Sequence, residues 1–180
     1  MRIVVTGGGT MGHITPLLEI VKEFKNRGIN RITYFGNRTG LENTIAEKED
    51  LPFVHIESKS TEGLGKMKNA MAFVFKNIQG VKQAINYLDT MKPDLVVATG
   101  GFVSAPVLAA AKYLNIPYVI HEQNRVVGKV NKLFIKGSSE VFYTFEGTKG
   151  GQEKKIGMTV GNPVKNFGFK TLGEKIVFLG

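Results

Sequence analysis

The sequence predicts an α/β fold, a Rossmann-like parallel sheet with helices on both faces, and three observations predict it. Apolar runs of strand length alternate with segments of helical periodicity along most of the 180 residues. Those runs are apolar at successive positions, as strands covered on both faces must be. Glycine-rich stretches follow them, at the edge where open parallel sheets bind ligands.

Each element follows from its residues. Residues 2–6, RIVVT, read as a buried strand that stops at Gly7, Gly8 and Gly9. Leu17, Ile20, Val21 and Phe24 recur at helical spacing, so 16–27 reads as a helix, with Thr15 as N-cap, Pro16 at its first position and Gly28 as its stop. Further strands are expected at 32–35, 53–56, 94–98, 118–120 and 140–143. Helices are expected at 41–49, at 66–91 with a break near Gly80, at 105–114 behind a Ser104 cap, and near 126–135. Residues 146–174 are rich in Gly and Lys and weakly patterned, which suggests loop and linker. A last strand at 175–179 has nothing to pair with. The division expected is a first domain over 1–160, then a linker and the opening strand of a truncated second domain over 161–180.

Composition narrows the function classes. No apolar run approaches the roughly 18 residues that cross a bilayer, and the N-terminus enters a strand pattern at once, so no signal peptide is expected. The absence of cysteine excludes disulfides and thiolate metal sites, and His13, His55 and His121 are too few for a His-rich metal cluster. The 24 Lys and Arg outnumber the 15 Asp and Glu, giving a net charge of +9 that favours an anionic neighbour such as a membrane surface. Nucleic acid is not expected, because no binding motif is present and aromatics are not interleaved with the basic residues.

Four stretches fall after strands: GGGTMGH (7–13), STEGLGK (60–66), ATGGFVSAP (98–106) and HEQN (121–124). In the first, Gly7, Gly9 and Gly12 satisfy the G-x-G-x-x-G spacing between a strand and a helix. The acid that fingerprint wants after the second strand is missing from YFGNRTG. Arg38 stands there instead and suits a 2′-phosphate, which keeps an NADP-dependent oxidoreductase open. His13 follows the last glycine, where a helix N-terminus disfavours imidazolium and leaves a neutral ring able to act as a general base. Gly100, Gly101 and Ser104 repeat the first loop's logic and suggest a second anion site. HEQN sets a base, a carboxylate and two amides at one strand end, suited to sugar hydroxyls.

GGGTMGHITP, GGFVSAP, HEQNRVVGKVNK and VGNPV, in this order and spacing, resemble the N-terminal half of the MurG family, the N-acetylglucosaminyltransferases of peptidoglycan synthesis in cell-wall biogenesis. The resemblance implies the N-terminal domain of a GT-B glycosyltransferase and inverting transfer from UDP-GlcNAc to lipid I, the undecaprenyl-diphosphate-linked muramoyl pentapeptide, with no cofactor and no metal. It implies His13 as the base for the acceptor's 4-hydroxyl. Thr10, Met11, Gly12, Asn124 and Lys165 are implied on the donor, and Gly9, Gly100, Gly101, Ser104, Glu122 and Asn131 on the acceptor. It also implies a cytoplasmic, peripheral location on the inner face of the membrane, with other cell-wall synthesis proteins as further partners.

The chain departs from the family pattern at Met11 and Ala105, where glycine is usual, and at Phe102, where tyrosine is common. It departs again at Gly65, where an arginine is usual, and at Lys165, which cannot form a bidentate guanidinium fork. These changes are expected to moderate affinity rather than abolish activity. In 65–83, Met67, Met71, Val74, Phe75 and Ile78 form one helical stripe bordered by Lys66, Lys68, Lys76 and Lys82. Lys66, Lys68, Met71, Phe75 and Lys76 are expected at an anionic membrane, with the stripe part core and part exposed. Two other readings stay open: a related diacylglycerol glycosyltransferase, against which HEQN leans, and a non-catalytic membrane-surface module.

Overall fold

The computed structural model describes residues 1–60 and 67–150, of which 67–70 as backbone only, and the backbone of three short strands beyond. The elements alternate as expected: β1 (Arg2–Gly7), α1 (Met11–Asn26), β2 (Arg31–Gly36), α2 (Leu41–Lys48), β3 (Phe53–His55), α3 (Met67–Met91), β4 (Leu95–Gly100), α4 (Ser104–Tyr113), β5 (Tyr118–Glu122), α5 (Lys129–Phe134) and β6 (Glu140–Tyr143). A two-residue strand β7 (Met158–Thr159) joins the edge, giving a parallel sheet of order β3-β2-β1-β4-β5-β6-β7.

Successive residues of each central strand feed opposite layers. Val4, Phe35, Val96 and Ala98 pack with Ala84 and Leu88 of α3 and with Val107, Leu108 and Ala111 of α4. Ile3, Val5, Tyr34 and Val97 pack with Leu17, Ile20, Val21 and Phe24 of α1. Both strand faces are therefore buried, which is why the strands read as unbroken apolar runs. The chain starts in the middle of the sheet, runs outward to β3, and resumes at β4 on the other side of β1. That reversal opens a crevice beyond the C-terminal ends of β1 and β4, the place where doubly wound sheets bind ligands.

Several boundaries differ from the sequence expectation. Helix α1 starts at Met11 with Thr10 in the N-cap position, so Thr15 caps nothing and Pro16 lies inside the helix. The tight turn after Gly9 lets the helix begin before the apolar periodicity that marked it. Its C-terminus behaves as expected: the Gly28 N–H donates to the Lys25 carbonyl and the Ile29 N–H to the Phe24 carbonyl. Ser104 is the first residue of α4 and not its cap; its hydroxyl donates to the Gly100 carbonyl at 2.8 Å.

Helix α3 runs unbroken through Gly80, where a Cβ would overlap the Glu57 carbonyl oxygen. Glycine at this position permits close packing against the chain leaving β3. Residues 146–174, expected as loop and linker, include β7 and β8 (Gly168–Leu172). The final strand β9 (Lys175–Leu179) is paired, antiparallel to β8. No helix among the described residues is long and apolar enough to cross a membrane.

Candidate active site

The two glycine loops meet at the crevice. The Gly8 N–H donates to the Gly100 carbonyl at 3.2 Å. Gly101, at φ +84°, lies so close to the Gly8 carbonyl that a Cβ would overlap it. A Cβ on Gly9 would lie 2.7 Å from the Phe102 ring. The loops are thus one packed unit rather than two separate cradles. The Gly9 N–H is also engaged, at 2.7 Å from Glu42 Oε1. A nucleotide phosphate brought to 7–9 would meet that carboxylate, which argues against the dinucleotide reading left open by the G-x-G-x-x-G spacing. In the first turn of α1, the Met11 and Gly12 N–H groups have no backbone acceptor among the described residues and stay available to a ligand.

His13 stands in that first turn. Its Nδ1 is 2.9 Å from Thr10 Oγ1, and its carbonyl accepts the Thr99 hydroxyl of β4 at 2.7 Å. Burial lowers its pKa below the ordinary 6.5, partly offset by the nearby Glu122 carboxylate. The direction agrees with the sequence expectation, but desolvation leads rather than the helix dipole. The ring lines a cleft of about 490 Å³ with Gly101, Asn124 and Asn131, the apolar Phe73, Phe102 and Leu133, and Lys59 and Lys129.

Glu122 holds the far wall. It is fully buried, and its Oε1 accepts from the Asn124 backbone N–H and Nδ2, both at 2.9 Å. Its Oε2 accepts from the Gly128 N–H at 2.8 Å and from Asn131 Nδ2 at 2.9 Å. Four donors saturate the carboxylate, so Glu122 shapes the cleft through Asn124 and Asn131. Asn131 is 2% exposed, and its Oδ1 has no partner among the described residues. The 124–128 segment is clasped from outside by Lys149, whose carbonyl accepts the Val127 N–H, and by Phe145, whose ring centre lies 4.6 Å from the Arg125 guanidinium.

The expected site residues therefore divide. His13, Gly101, Asn124 and Asn131 line the cleft, and Thr10, Met11 and Gly12 are exposed at the start of α1, next to His13 in the chain. Gly9, Gly100, Ser104 and Glu122 support it from within or behind. His121 of HEQN is buried inside the sheet, with Nε2 3.2 Å from Thr144 Oγ1, and burial lowers its pKa to about 4. Lys165 and Lys66, and the side chain of Lys68, lie outside the described residues. The sequence reading missed Lys59, Lys129 and Glu42. Lys129 sits inside the quoted HEQNRVVGKVNK and was findable there, whereas nothing local marks the other two.

The chain is similar to known proteins in sequence and in fold. The chain is 39% identical over 164 residues to the UDP-N-acetylglucosamine--N-acetylmuramyl-(pentapeptide) pyrophosphoryl-undecaprenol N-acetylglucosamine transferase of Bacillus subtilis (strain 168), covering 91% of this chain and 45% of that protein. It is 36% identical over 180 residues to the transferase 3 of the same name in Bacillus thuringiensis (strain Al Hakam), covering 99% and 51%. The fold matches the crystal structure of Acinetobacter baumannii MurG with a TM-score of 0.76 at 28% identity, over 90% of this chain and 46% of that one. It is thus the fold of the N-terminal domain of a GT-B glycosyltransferase. The chain spans about half the length of the curated relatives it matches. A UDP-N-acetylglucosamine 2-epimerase from Rickettsia bellii, at TM-score 0.60 and 18% identity, shares the fold alone. Residues 3–143 match the N-terminal domain of glycosyltransferase family 28, and the chain belongs to that family.

Proposed function

We propose that this chain is the acceptor-side domain of an inverting N-acetylglucosaminyltransferase acting from UDP-GlcNAc on lipid I. The observation that carries the reading is His13: a desolvated imidazole at a helix N-terminus, facing a cleft walled by two amides and two lysines. With Nδ1–H donated to Thr10 Oγ1, Nε2 holds the free lone pair. It takes the proton of the muramoyl 4-hydroxyl as that oxygen attacks the anomeric carbon of GlcNAc. The bond from that carbon to the UDP oxygen breaks, and UDP leaves with the electron pair. Attack opposite the leaving group inverts the centre.

The acceptor's diphosphate is met by the Met11 and Gly12 amides and by Lys59 and Lys129, neither of which is in an ion pair among the described residues. Asn124 and Asn131 take sugar hydroxyls; the unpartnered Oδ1 of Asn131 needs such a donor. Asn124, with Thr10, faces the donor supplied by a second domain, and Lys165 keeps the donor-binding role that the family resemblance implies. The departures at Met11, Phe102, Ala105 and Lys165 tune affinity. The apolar stripe of α3 belongs to the helix that supplies Phe73 to the cleft, so a lipid tail leaving the cleft runs onto it and then to an anionic membrane.

The test joins this chain to the C-terminal half of the Bacillus subtilis relative and assays transfer of radiolabelled GlcNAc to a lipid I analogue. His13→Ala lowers kcat by about 10²- to 10⁴-fold, the range for loss of a general base. A mutant as fast as the parent removes His13 from the chemistry. Titration with NADPH gives no binding, because Glu42 occupies the first loop.

A further inference from the structure

One buried carboxylate takes no part in this scheme. Glu42, in the first turn of α2, is fully buried. Its Oε1 accepts the Gly9 N–H, and its Oε2 has no partner among the described residues. Three glycines leave the room it fills. A Cβ at Gly8 would overlap Oε1, one at Gly40 would overlap Oε2, and one at Gly36 would lie 2.9 Å from the Glu42 Cβ. Amides of a glycine-rich turn between a strand and a helix are where such folds hold a ligand's phosphate. Here a side chain from the neighbouring helix holds that place.

We propose that Glu42 is the internal anion of the first glycine loop, a positioning residue that closes this loop to phosphates and fixes His13 through Gly9 and Thr10. The relay is short. Glu42 sets the Gly9 amide, and Gly9, at φ +81°, leads directly to Thr10. The Thr10 carbonyl accepts the His13 and Ile14 N–H groups, and its hydroxyl meets His13 Nδ1. A hydrogen bond to a carboxylate is about twice as strong as a neutral one, so this anchor holds the turn that starts α1. The consequence for His13 rests on the reading of that residue as the base; the occupancy of the loop does not.

Three measurements test it. In the 180-residue chain, the Gly9 amide is protected from hydrogen exchange although Gly9 is an exposed residue; exchange at the free-peptide rate overturns the proposal. Glu42→Ala and Gly40→Ala each remove or displace the carboxylate. Gly40 has φ −91°, open to any residue, and lies outside the 490 Å³ cleft. In both variants Gly9 protection is lost and the NMR titration midpoint of His13 rises toward 6.5, as the loosened ring meets water. Glu122, Lys59 and Lys129 still face that ring unchanged, and Asp89→Asn, exposed on α3, moves nothing.

A folded variant with Gly9 protection and His13 midpoint unchanged overturns the proposal. In the joined transferase, Gly40→Ala lowers kcat by about 10- to 100-fold, as misplacement of a catalytic group does, with acceptor KM unchanged. Lost protection with unchanged kcat overturns the link to His13. If the parent transfers no GlcNAc, the transferase reading fails, and exchange and titration still decide the role of Glu42.

Discussion

At the scale of single residues, two histidines show how burial assigns roles. His13 is partly buried beside Glu122 and keeps a depressed pKa while lining a cleft. The proposed base function needs the neutral ring, so kcat/KM falls on the acid side as pH drops through a His13 pKa that lies below 6.5. A pH–rate profile of the joined transferase that bends above pH 7 on its acid side contradicts this. His121 is buried neutral with its pKa at about 4. The unfolded chain takes up that proton near pH 6.5 and the folded chain only near 4. Stability is therefore intact above 6.5 and is lost by about 3 kcal/mol as pH falls from 6.5 to 4. Thermal melts across that range show a shallower slope for His121→Gln. Both histidines were visible in the sequence, but their division of labour was not: HEQN looks like one polar cluster until the sheet takes His121 inward and leaves Asn124 outside. Glu122 likewise reads as a ligand-binding carboxylate, until its four donors are counted in place.

At the scale of elements, periodicity located almost every strand and helix, because burial of both sheet faces writes itself into apolar runs. Boundaries were less legible where glycines bend the chain. The α1 start moved to Met11 because the turn at Gly9 is held by contacts with Glu42 and Phe102, residues 33 and 93 positions away. Gly80 illustrates the same limit. It reads as a helix breaker, yet it sits within α3 so that the helix can press on the Glu57 carbonyl. Ala is the better helix former, by about 1 kcal/mol. Overpacking costs about 1–3 kcal/mol and outweighs that gain, so Gly80→Ala lowers stability by up to about 2 kcal/mol net in denaturant melts. A gain in stability would show that the close contact is not the reason for glycine.

At the scale of the whole molecule, the apolar stripe decides how the domain meets its surroundings. Sequence spacing suggested a stripe part core and part exposed. Its described side chains, Met71, Val74, Phe75 and Ile78, are 70%, 53%, 69% and 52% exposed, because α3 packs through Gly80, Ala84 and Leu88 on another face; the Met67 side chain lies outside the described residues. Met71→Ser and Phe75→Ser therefore leave the melting temperature unchanged while weakening flotation on anionic vesicles. Replacing Lys66, Lys68 and Lys76 with Glu abolishes flotation, and unchanged binding in that variant ends the membrane reading. Lys76 also reaches Glu57 at 3.3 Å, so part of its charge is already engaged within the protein. By itself the sequence determined the layered α/β class, the order of its elements and the glycine and amide motifs at one sheet edge, because these follow from local periodicity and turn chemistry. Only the tertiary structure decided which motif residues face the cleft, that a carboxylate from α2 fills the first loop, and that the stripe faces outward. Those outcomes depend on contacts between segments far apart in the chain, and no local pattern encodes them.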